Sequence, residues 1–162
     1  MRRLDSDRYF MIMAKVASLR STCRSRQIGA VLIDIDRHVL CTGYNGPAKG
    51  LNSCEPCRRE DQESGSGLEK CMAIHAEQNA LLQCPDIRRI DTLYVTVSPC
   101  FTCIKLLLNT PCRRIVFLST YPHQESEKIW VETGRIWDQL HFPSRARGII
   151  ESLSKITDYL EG

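Results

Sequence analysis

One stretch, residues 71–103, constrains the fold of this chain more than any other part. It reads CMAIHAEQNALLQC, then a polar link, the apolar run TLYVTV and the segment SPCFTC. The run at residues 92–97 is rich in β-branched residues and predicts a buried strand. Ser98-Pro99 follows it and is typical of a helix start. Cys100 and Cys103 are therefore predicted to share one face at the N-terminus of a helix, where the helix dipole favours thiolates.

Three side chains of this stretch form a set of metal ligands. His75, Cys100 and Cys103 offer one nitrogen and two sulfur atoms, the donors that zinc prefers. Three protein ligands leave a fourth position for water, which is typical of a catalytic site. Zinc lowers the pKa of such a water from about 15.7 to about 7. Glu77, two residues after the histidine, is predicted to point beside the metal and to carry the proton to a departing amine.

Other interpretations exist for a Cys-x-x-Cys pair considered by itself. It is also found as a redox pair or as half of a structural zinc site. The His-x-Glu triplet upstream, at the start of a second predicted helix, favours the catalytic interpretation. A binding module that is stabilised by zinc but has no catalytic activity would use the same ligands, but Glu77 would then have no role.

Composition and charge narrow the class of protein. The 162 residues, 43% of them hydrophobic, predict a single zinc-dependent domain over residues 1–162 with a full core. A formal net charge of +3 is mild; it does not indicate a surface that coats nucleic acid, but it suits a small anionic substrate. Nine cysteines, with no export signal and no apolar run of bilayer length, favour metal ligation over disulfides and predict a cytoplasmic location.

The hydrophobic pattern predicts an α/β fold. A helix is predicted at 5–20, with Tyr9, Ile12, Met13, Val16 and Leu19 on its core side. A hairpin at 30–44 follows and turns at Asp36-Arg37. The elements predicted after it are a helix at 74–84, a strand at 92–97, a helix continuing to 108, a strand at 114–120, a short helix, a strand at 136–141 and a helix at 149–160. Alternating strands and helices imply a mostly parallel sheet after the antiparallel hairpin. The carboxyl ends of its strands place Tyr121 near the metal.

Residues 45–70 predict no regular element, and a loop of this length is usually functional or held in place. Cys54 and Cys57 have zinc-knuckle spacing, and Cys71 lies just before the predicted catalytic helix. With Cys23, from the bend before the first strand, they would complete a second, structural zinc site. The alternative is that the four are buried thiols in an irregular loop.

The order of the segments CRSRQIGAVLI, TGYNG, HAEQNA, YVTVSPCFTC and RRIVFLSTYP resembles the deoxycytidylate (dCMP) deaminases, within the cytidine deaminase-like superfamily. The likeness covers residues 5–142. It implies a three-layer α/β/α fold around a five-stranded mixed sheet. It also implies hydrolysis of dCMP to dUMP and ammonia, which supplies thymidylate synthesis. Hexamers, activation by dCTP with Mg²⁺ and inhibition by dTTP are further properties that the resemblance implies.

The resemblance also assigns site residues. His75, Cys100 and Cys103 take the zinc-ligand positions, and Glu77 the proton-shuttle position. The further positions assigned are Asn45 for the sugar hydroxyl, the backbone near Ala76 and Ser98 for the pyrimidine edge, and Gly43, Tyr44 and Gly46 for part of an allosteric nucleotide site. For Asn45 the alternative is a turn asparagine before a glycine.

A substrate phosphate needs a cation or an amide-rich bend. The basic, hydroxyl-rich bend before the first strand offers Arg24 and Arg26, and Lys105 lies one turn past Cys100. The favoured set is Arg26 with the hydroxyls of Ser21 and Thr22, and with Tyr121 against the sugar. The alternative for the arginines is a solvated basic face.

Two rival enzymes share the same metal ligands. A deaminase of RNA or tRNA should show a stronger basic groove and exposed aromatic side chains for a flipped base. A deaminase of free nucleosides would not need the basic bend.

Overall fold

The computed structural model of the chain describes residues 3–51, 54, 56–63, 66–122, 124–153 and 156. Its helices are α1 (Ser6–Ser18), α2 (Ala76–Gln83), α3 (Phe101–Leu108), α4 (Gln124–Glu132) and α5 (Ser144–Ser152). Its strands are β1 (Gly29–Ile33), β2 (Val39–Tyr44), β3 (Gly46–Pro47), β4 (Ala73–Ile74), β5 (Thr92–Val97), β6 (Arg114–Ser119) and β7 (Ile136–Gln139). Short 3-10 helices lie at Leu68–Lys70 and Ile87–Arg89.

Five of the strands form one mixed sheet in the order β2-β1-β5-β6-β7. β1 is antiparallel to both β2 and β5, whereas β5, β6 and β7 are parallel to one another. Every residue of β5 is buried, as expected for the central strand of a sheet that is covered on both faces. The predicted α/β class and the five-stranded mixed sheet are confirmed.

Helices cover both faces of the sheet and make three layers. On one face, α2, α3 and α4 contribute Ala80, Ile104, Leu107 and Trp130 to a core with Leu93 and Ile115 of the sheet. On the other face, α1 packs Phe10, Met11 and Ala14 onto Val31, Tyr94 and Val116. The parallel strands run so that β5 leads directly into the cysteine-bearing segment before α3.

The predicted core side of α1 is wrong. The side chains of α1 that are buried are Phe10, Met11, Ala14 and Ser18. Tyr9 and Val16, from the predicted stripe, are 51% and 49% exposed. Both sets have helical spacing, so the choice depends on the sheet. A Cβ on Gly29 of β1 would lie 2.0 Å from the Ala14 oxygen and 2.4 Å from the Ser18 nitrogen, so α1 must present its small residues there.

The segment at residues 45–70 is more ordered than predicted. Its start forms β3, which pairs antiparallel with β4 just before α2, and its end is the 3-10 helix Leu68–Lys70. α2 therefore begins at Ala76 and not at Ile74, because Ile74 belongs to the β3–β4 ribbon. This ribbon ties the start of the long segment to the entrance of α2.

The other predicted boundaries hold to within a few residues, except at the C-terminus. The predicted helix at 149–160 begins earlier, at Ser144. Residues 154, 155 and 157–160 of that prediction lie outside the described part of the chain. Within the described residues, no helix combines the length and the apolar character that a bilayer crossing needs.

An ion cluster joins α1 to three strands. Arg114 donates two hydrogen bonds of 2.9 Å to the Asp7 carboxylate and one of 2.7 Å to Asp138. The hydroxyl of buried Tyr94 donates to the same Asp7 carboxylate at 2.7 Å. The Arg114 guanidinium is the main reason that the pKa of Asp7 is lowered from its ordinary value of 3.8.

We expect Asp7→Asn to lower the free energy of unfolding near pH 7 by about 1–3 kcal/mol, because it removes a charge-assisted pair and leaves Arg114 half-satisfied. A lowered pKa in the folded state adds stability above the ordinary aspartate value, and this is lost as the pH falls through the folded-state pKa. The deficit should therefore shrink under acid in urea unfolding curves. Glu132→Gln, at an exposed position, is the matched control. A deficit independent of pH would contradict this account.

Candidate active site

Two helix N-termini meet at one end of the sheet. His75 is the N-cap of α2, and Cys100 is the N-cap of α3; both have extended backbone angles. The Gln78 side chain accepts a 2.9 Å hydrogen bond from the His75 backbone N–H, which fixes the entry into α2. The predicted start of α3 at Ser98-Pro99 is slightly early, because the N-cap is Cys100 and Pro99 lies just before it. Both helix dipoles therefore direct their positive ends toward the same place.

His75, Cys100 and Cys103 form a compact set of ligand atoms. Their nitrogen and sulfur atoms all lie within 4.8 Å of one another, and both cysteines are buried. The Nδ1 atom of His75 is 3.3 Å from the Cys100 sulfur and 3.5 Å from the Cys103 sulfur. Tetrahedral zinc with ordinary Zn–S and Zn–N bonds requires a sulfur–nitrogen separation of about 3.6 Å. The set fits zinc in donor chemistry and in spacing.

The pKa values of the Cys100 and Cys103 thiols are shifted in opposite directions. A hydrogen bond from Cys103 lowers the pKa of Cys100 to about 4, and the imidazole of His75 contributes to the same shift. The neighbouring Cys100 sulfur and burial raise the pKa of Cys103. The Cys100 thiol is therefore the more acidic of the two, and zinc binding requires both ligands as thiolates.

Glu77 lies in the first turn of α2 and is 4% exposed. Burial raises the pKa of its carboxyl to about 7, although the nearby His75 lowers it. A carboxyl with such a pKa exists in both protonation states at neutral pH, as a group that both accepts and donates a proton requires. Its side chain lies beside the three ligands, as the two-residue spacing predicts.

A cavity of about 290 Å³ opens next to His75. Its border includes Arg26, Asn45 and Tyr121, three of the residues predicted for the substrate. A cavity of about 470 Å³ lies on the α1 face of the sheet and is bordered by none of the predicted site residues. The smaller cavity is the candidate substrate site because it adjoins the metal ligand His75.

Asn45 is 5% exposed and organises the bend before β1. Its Oδ1 atom accepts hydrogen bonds from the Ser21 hydroxyl at 2.6 Å and from the Ile28 N–H at 2.8 Å. Its Nδ2 group donates to the Arg26 carbonyl at 2.8 Å. The side chain holds the bend that carries Arg26 while it borders the cavity, so it is more than a turn asparagine.

The remaining residues predicted for the pyrimidine and for regulation lie around α2. Ala76 is fully buried, and a Cβ on Gly43 would lie 2.2 Å from the Ala76 oxygen, so Gly43 allows β2 and α2 to pack closely. The carbonyl of Tyr44 accepts a hydrogen bond from the Asn79 side chain at 2.7 Å. Ser98 is buried and accepts a hydrogen bond from the Tyr121 N–H at 2.7 Å, which sets the position of that ring.

The residues predicted for the phosphate do not all lie at the same cavity in the structure. Arg26 borders the cavity, and its guanidinium carbon is 5.8 Å from the centre of the Tyr121 ring. Ser21 is buried and hydrogen-bonded to Asn45, and Thr22 is exposed. Lys105 is exposed over the Phe101 ring, away from the cavity. Arg24 borders a second cavity.

That second cavity, of about 330 Å³, brings together Cys23, Cys54, Cys57 and Cys71. Burial raises the pKa of Cys54, and the other three thiols raise it further because they lie nearby. Among the described residues, sets of three or more ligand atoms within 4.8 Å of one another occur at the His75 set and at Asp34, Asp36 and His38. The four thiols thus share a cavity without the tight spacing of the His75 set.

Sequence reasoning missed Arg59, which borders both cavities. Its Nε–H donates to the Ser66 carbonyl at 3.0 Å. The pair Arg58-Arg59 between two cysteine-bearing stretches was a signal in the sequence, but nothing in its spacing shows which cavity a loop arginine faces.

The fold and the site define a class of protein, the zinc-binding nucleobase deaminases. Residues 4–119 match the family model described as the cytidine and deoxycytidylate deaminase zinc-binding region. The chain belongs to this family.

Relatives and solved structures agree with this assignment. The chain is 40% identical over 125 residues to a deoxycytidylate deaminase of Mycobacterium phage D29, covering 72% of this chain and 97% of the phage protein. It is 34% identical over 146 residues to that of Saccharomyces cerevisiae, covering 87% of this chain but only 46% of the yeast protein. The fold is also that of the dCMP deaminase of cyanophage S-TIM5 in complex with dCMP and dUMP, with a TM-score of 0.70 and 23% identity over 86% of this chain and 100% of that one.

We expect Cys103→Ser to lose one equivalent of zinc relative to the unmodified chain, because it removes one of three ligands from a four-coordinate site. Metal content measured by plasma mass spectrometry on the purified protein checks this. Cys112→Ala is the matched control, since Cys112 is also a fully buried thiol but lies outside the ligand set. Equal zinc content in the Cys103 and Cys112 variants would contradict the assignment.

Proposed function

We propose that this protein is a dCMP deaminase, which hydrolyses dCMP to dUMP and ammonia. The observation that carries the proposal is the position of the His75, Cys100 and Cys103 set. It lies with buried Glu77 beside a cavity that Arg26, Asn45 and Tyr121 border. The deoxycytidylate deaminase relatives and the dCMP complex of the phage structure support the choice of substrate.

His75, Cys100 and Cys103 would hold the zinc. A bound zinc supplies Lewis acidity, which lowers the pKa of a water molecule toward neutrality. Glu77 would deliver one water proton to N3 of the pyrimidine ring as hydroxide adds to C4, and it would then pass the proton of the new C4 hydroxyl to the amino group, which leaves as ammonia while the C4 carbonyl forms. Its burial serves this role, because a carboxyl with a pKa of about 7 gains and loses a proton at little cost near neutral pH.

The chain's own polar groups would orient the nucleotide. Asn45 has one amide hydrogen left after its contacts with the bend, and this donor suits the sugar hydroxyl. Arg26 supplies a cation for the 5′-phosphate, and Tyr121 packs against the sugar. The backbone near Ala76 and Ser98 lies at the helix starts that face the pyrimidine.

Polynucleotide substrates are less well supported. The candidate cavity of about 290 Å³ is of the size that holds a small molecule, whereas a flipped base needs a groove that continues along a strand. The mild net charge of +3 points the same way.

Regulation and assembly are part of the proposal only through the family resemblance. It supports activation by dCTP with Mg²⁺, inhibition by dTTP, a hexamer, and a cytoplasmic role in supplying dUMP for thymidylate synthesis. For an allosteric nucleotide site at Gly43, Tyr44 and Gly46, the packing of Gly43 against α2 suggests that a nucleotide there would act on the helix that carries Glu77.

We expect the zinc-loaded chain to consume the ultraviolet band of dCMP, and Glu77→Gln to lower kcat by at least about 1,000-fold while zinc content stays unchanged. The amide keeps the shape of the carboxyl but cannot carry the proton. Assays of dCMP and deoxycytidine, each with and without dCTP–Mg²⁺, separate nucleotide from nucleoside specificity and test the regulation. Turnover of neither substrate would overturn the proposal and favour a polynucleotide substrate or a binding module.

We also propose that Cys23, Cys54, Cys57 and Cys71 hold a second, structural zinc. Their shared cavity and their cysteine chemistry support this. The wider spacing of the four sulfur atoms implies that a metal would draw the loop around Cys54 and Cys57 toward Cys71, and so toward the entrance of α2. The alternative is four buried thiols without a metal.

For this second site we expect two zinc ions per fully loaded chain, and one in the Cys57→Ser variant. The variant should keep the catalytic zinc and unfold at a lower temperature, because it loses the metal that would cross-link the long segment. Cys84→Ser, a half-buried thiol outside the four, is the control. A single zinc per fully loaded chain would reject the second site.

A further inference from the structure

Arg59 is a second cation at the candidate substrate cavity. It comes from the segment between β3 and β4, whereas Arg26 comes from the bend before β1. Both border the cavity together with His75 and Tyr121. Two arginines from separate parts of the chain therefore line the same small cavity.

Both arginines also lie near Tyr121. The guanidinium carbon of Arg26 lies 5.8 Å from the ring centre. The positive charge of Arg59 acts on the Tyr121 hydroxyl and opposes the rise of its pKa that burial causes. The backbone of Tyr121 is itself held by the Ser98 hydroxyl at 2.7 Å. Both cations therefore lie beside a ring whose backbone is anchored at the end of the sheet.

Arg59 is held in place and still has donors to offer. Its Nε–H is used by the Ser66 carbonyl, which fixes the direction of the guanidinium plane. This contact uses one of the five N–H donors of the arginine side chain. Among the ion pairs of the described residues, none includes Arg59. The remaining donors suit an anionic ligand.

The charge of the ligand explains why two cations would be needed. A phosphate monoester carries a charge of about −2 at neutral pH. One guanidinium neutralises half of that charge, and a fixed planar fork binds phosphate oxygens bidentately. A nucleoside has no such group, and a phosphodiester has one negative charge per phosphate. A pair of arginines at the cavity therefore matches a terminal 5′-monophosphate better than either of the other two classes.

We propose that Arg59 is a specificity-determining residue that, with Arg26, recognises the second negative charge of a nucleoside 5′-monophosphate. The inference rests on the proposed dCMP deaminase function and adds a residue and a charge requirement to it. Arg59 would act on the choice between monophosphate, diester and nucleoside, and not on the chemical step at the pyrimidine.

The test compares three substrates of the zinc-loaded chain: dCMP, its 5′-methyl phosphate ester with one negative charge, and uncharged deoxycytidine. We expect Arg59→Ala to lower kcat/KM for dCMP by about 10- to 100-fold, as for the loss of a charged hydrogen bond, with less than about a fivefold loss for the ester. Turnover of deoxycytidine should stay within about twofold, which also shows that the variant is folded. The loss for dCMP should appear in KM more than in kcat.

Two further variants complete the design. Arg59→Lys keeps the charge but not the fork, and should recover part of the preference for dCMP over the ester. Arg58→Ala is the matched control, because Arg58 is exposed and borders the thiol cavity but not the substrate cavity. It should leave all three substrates unchanged.

The outcomes separate this inference from the proposed function. Equal losses for all three substrates in Arg59→Ala, with the unmodified chain active on dCMP, would overturn the role of Arg59 alone and indicate that it only holds its loop. Absence of dCMP turnover by the unmodified chain would overturn the proposed function and this inference with it.

Discussion

The close packing of α2 on β2 is the constraint on which the site depends. At Gly43 the strand approaches the helix so closely that a single added carbon would lie 2.2 Å from the Ala76 oxygen and 2.5 Å from the Ala80 nitrogen. The Asn79 side chain adds a hydrogen bond to the Tyr44 carbonyl on the same strand. α2 therefore has little freedom to slide or rotate. Since His75 caps this helix and Glu77 lies in its first turn, the packing fixes the metal ligand and the acid together.

The opposite half of the site is fixed by the central strand. β5 is buried along its whole length and ends at Val97, and Ser98 and Pro99 lead directly to Cys100, the N-cap of α3. The start of α3 is therefore fixed relative to the sheet. The Ser98 N–H donates to the Ser119 carbonyl at 2.8 Å, and its hydroxyl binds the Tyr121 backbone. One residue thus links the ends of β5 and β6. The ligand on α2 and the ligands on α3 meet because both helices start from the same rigid sheet.

Much of this could be predicted from sequence, and the limits have physical causes. The His75, Cys100 and Cys103 set was found because short spacings at two helix starts are local properties of the chain. The antiparallel hairpin and the mostly parallel strands after it follow from the alternation of strands and helices, and both are confirmed by the strand pairing. The buried side of α1 was predicted wrongly because two faces had helical spacing, and only the missing side chain at Gly29 chooses between them.

Long-range placement explains the other gaps. Pairing of β3 with β4 joins two-residue strands that are separated by the whole intervening segment, and no periodicity indicates such short strands. Arg59 lies within that segment, so its position follows from this pairing and from the contact with Ser66. The same segment brings Cys57 to one cavity and Arg59 to both.

The thiol cavity and the substrate cavity are therefore not independent. Cys23, Arg59, Cys71 and Ala73 border both of them. Cys23 precedes Arg26 by three residues and Cys71 precedes His75 by four, so any group that draws the thiols together also acts on the bend that carries one cation and on the entrance to α2. A metal held there would stabilise the long segment, and it would also order the groups that are proposed to contact the nucleotide. In that proposal, structural support and substrate recognition depend on the same short stretches of backbone.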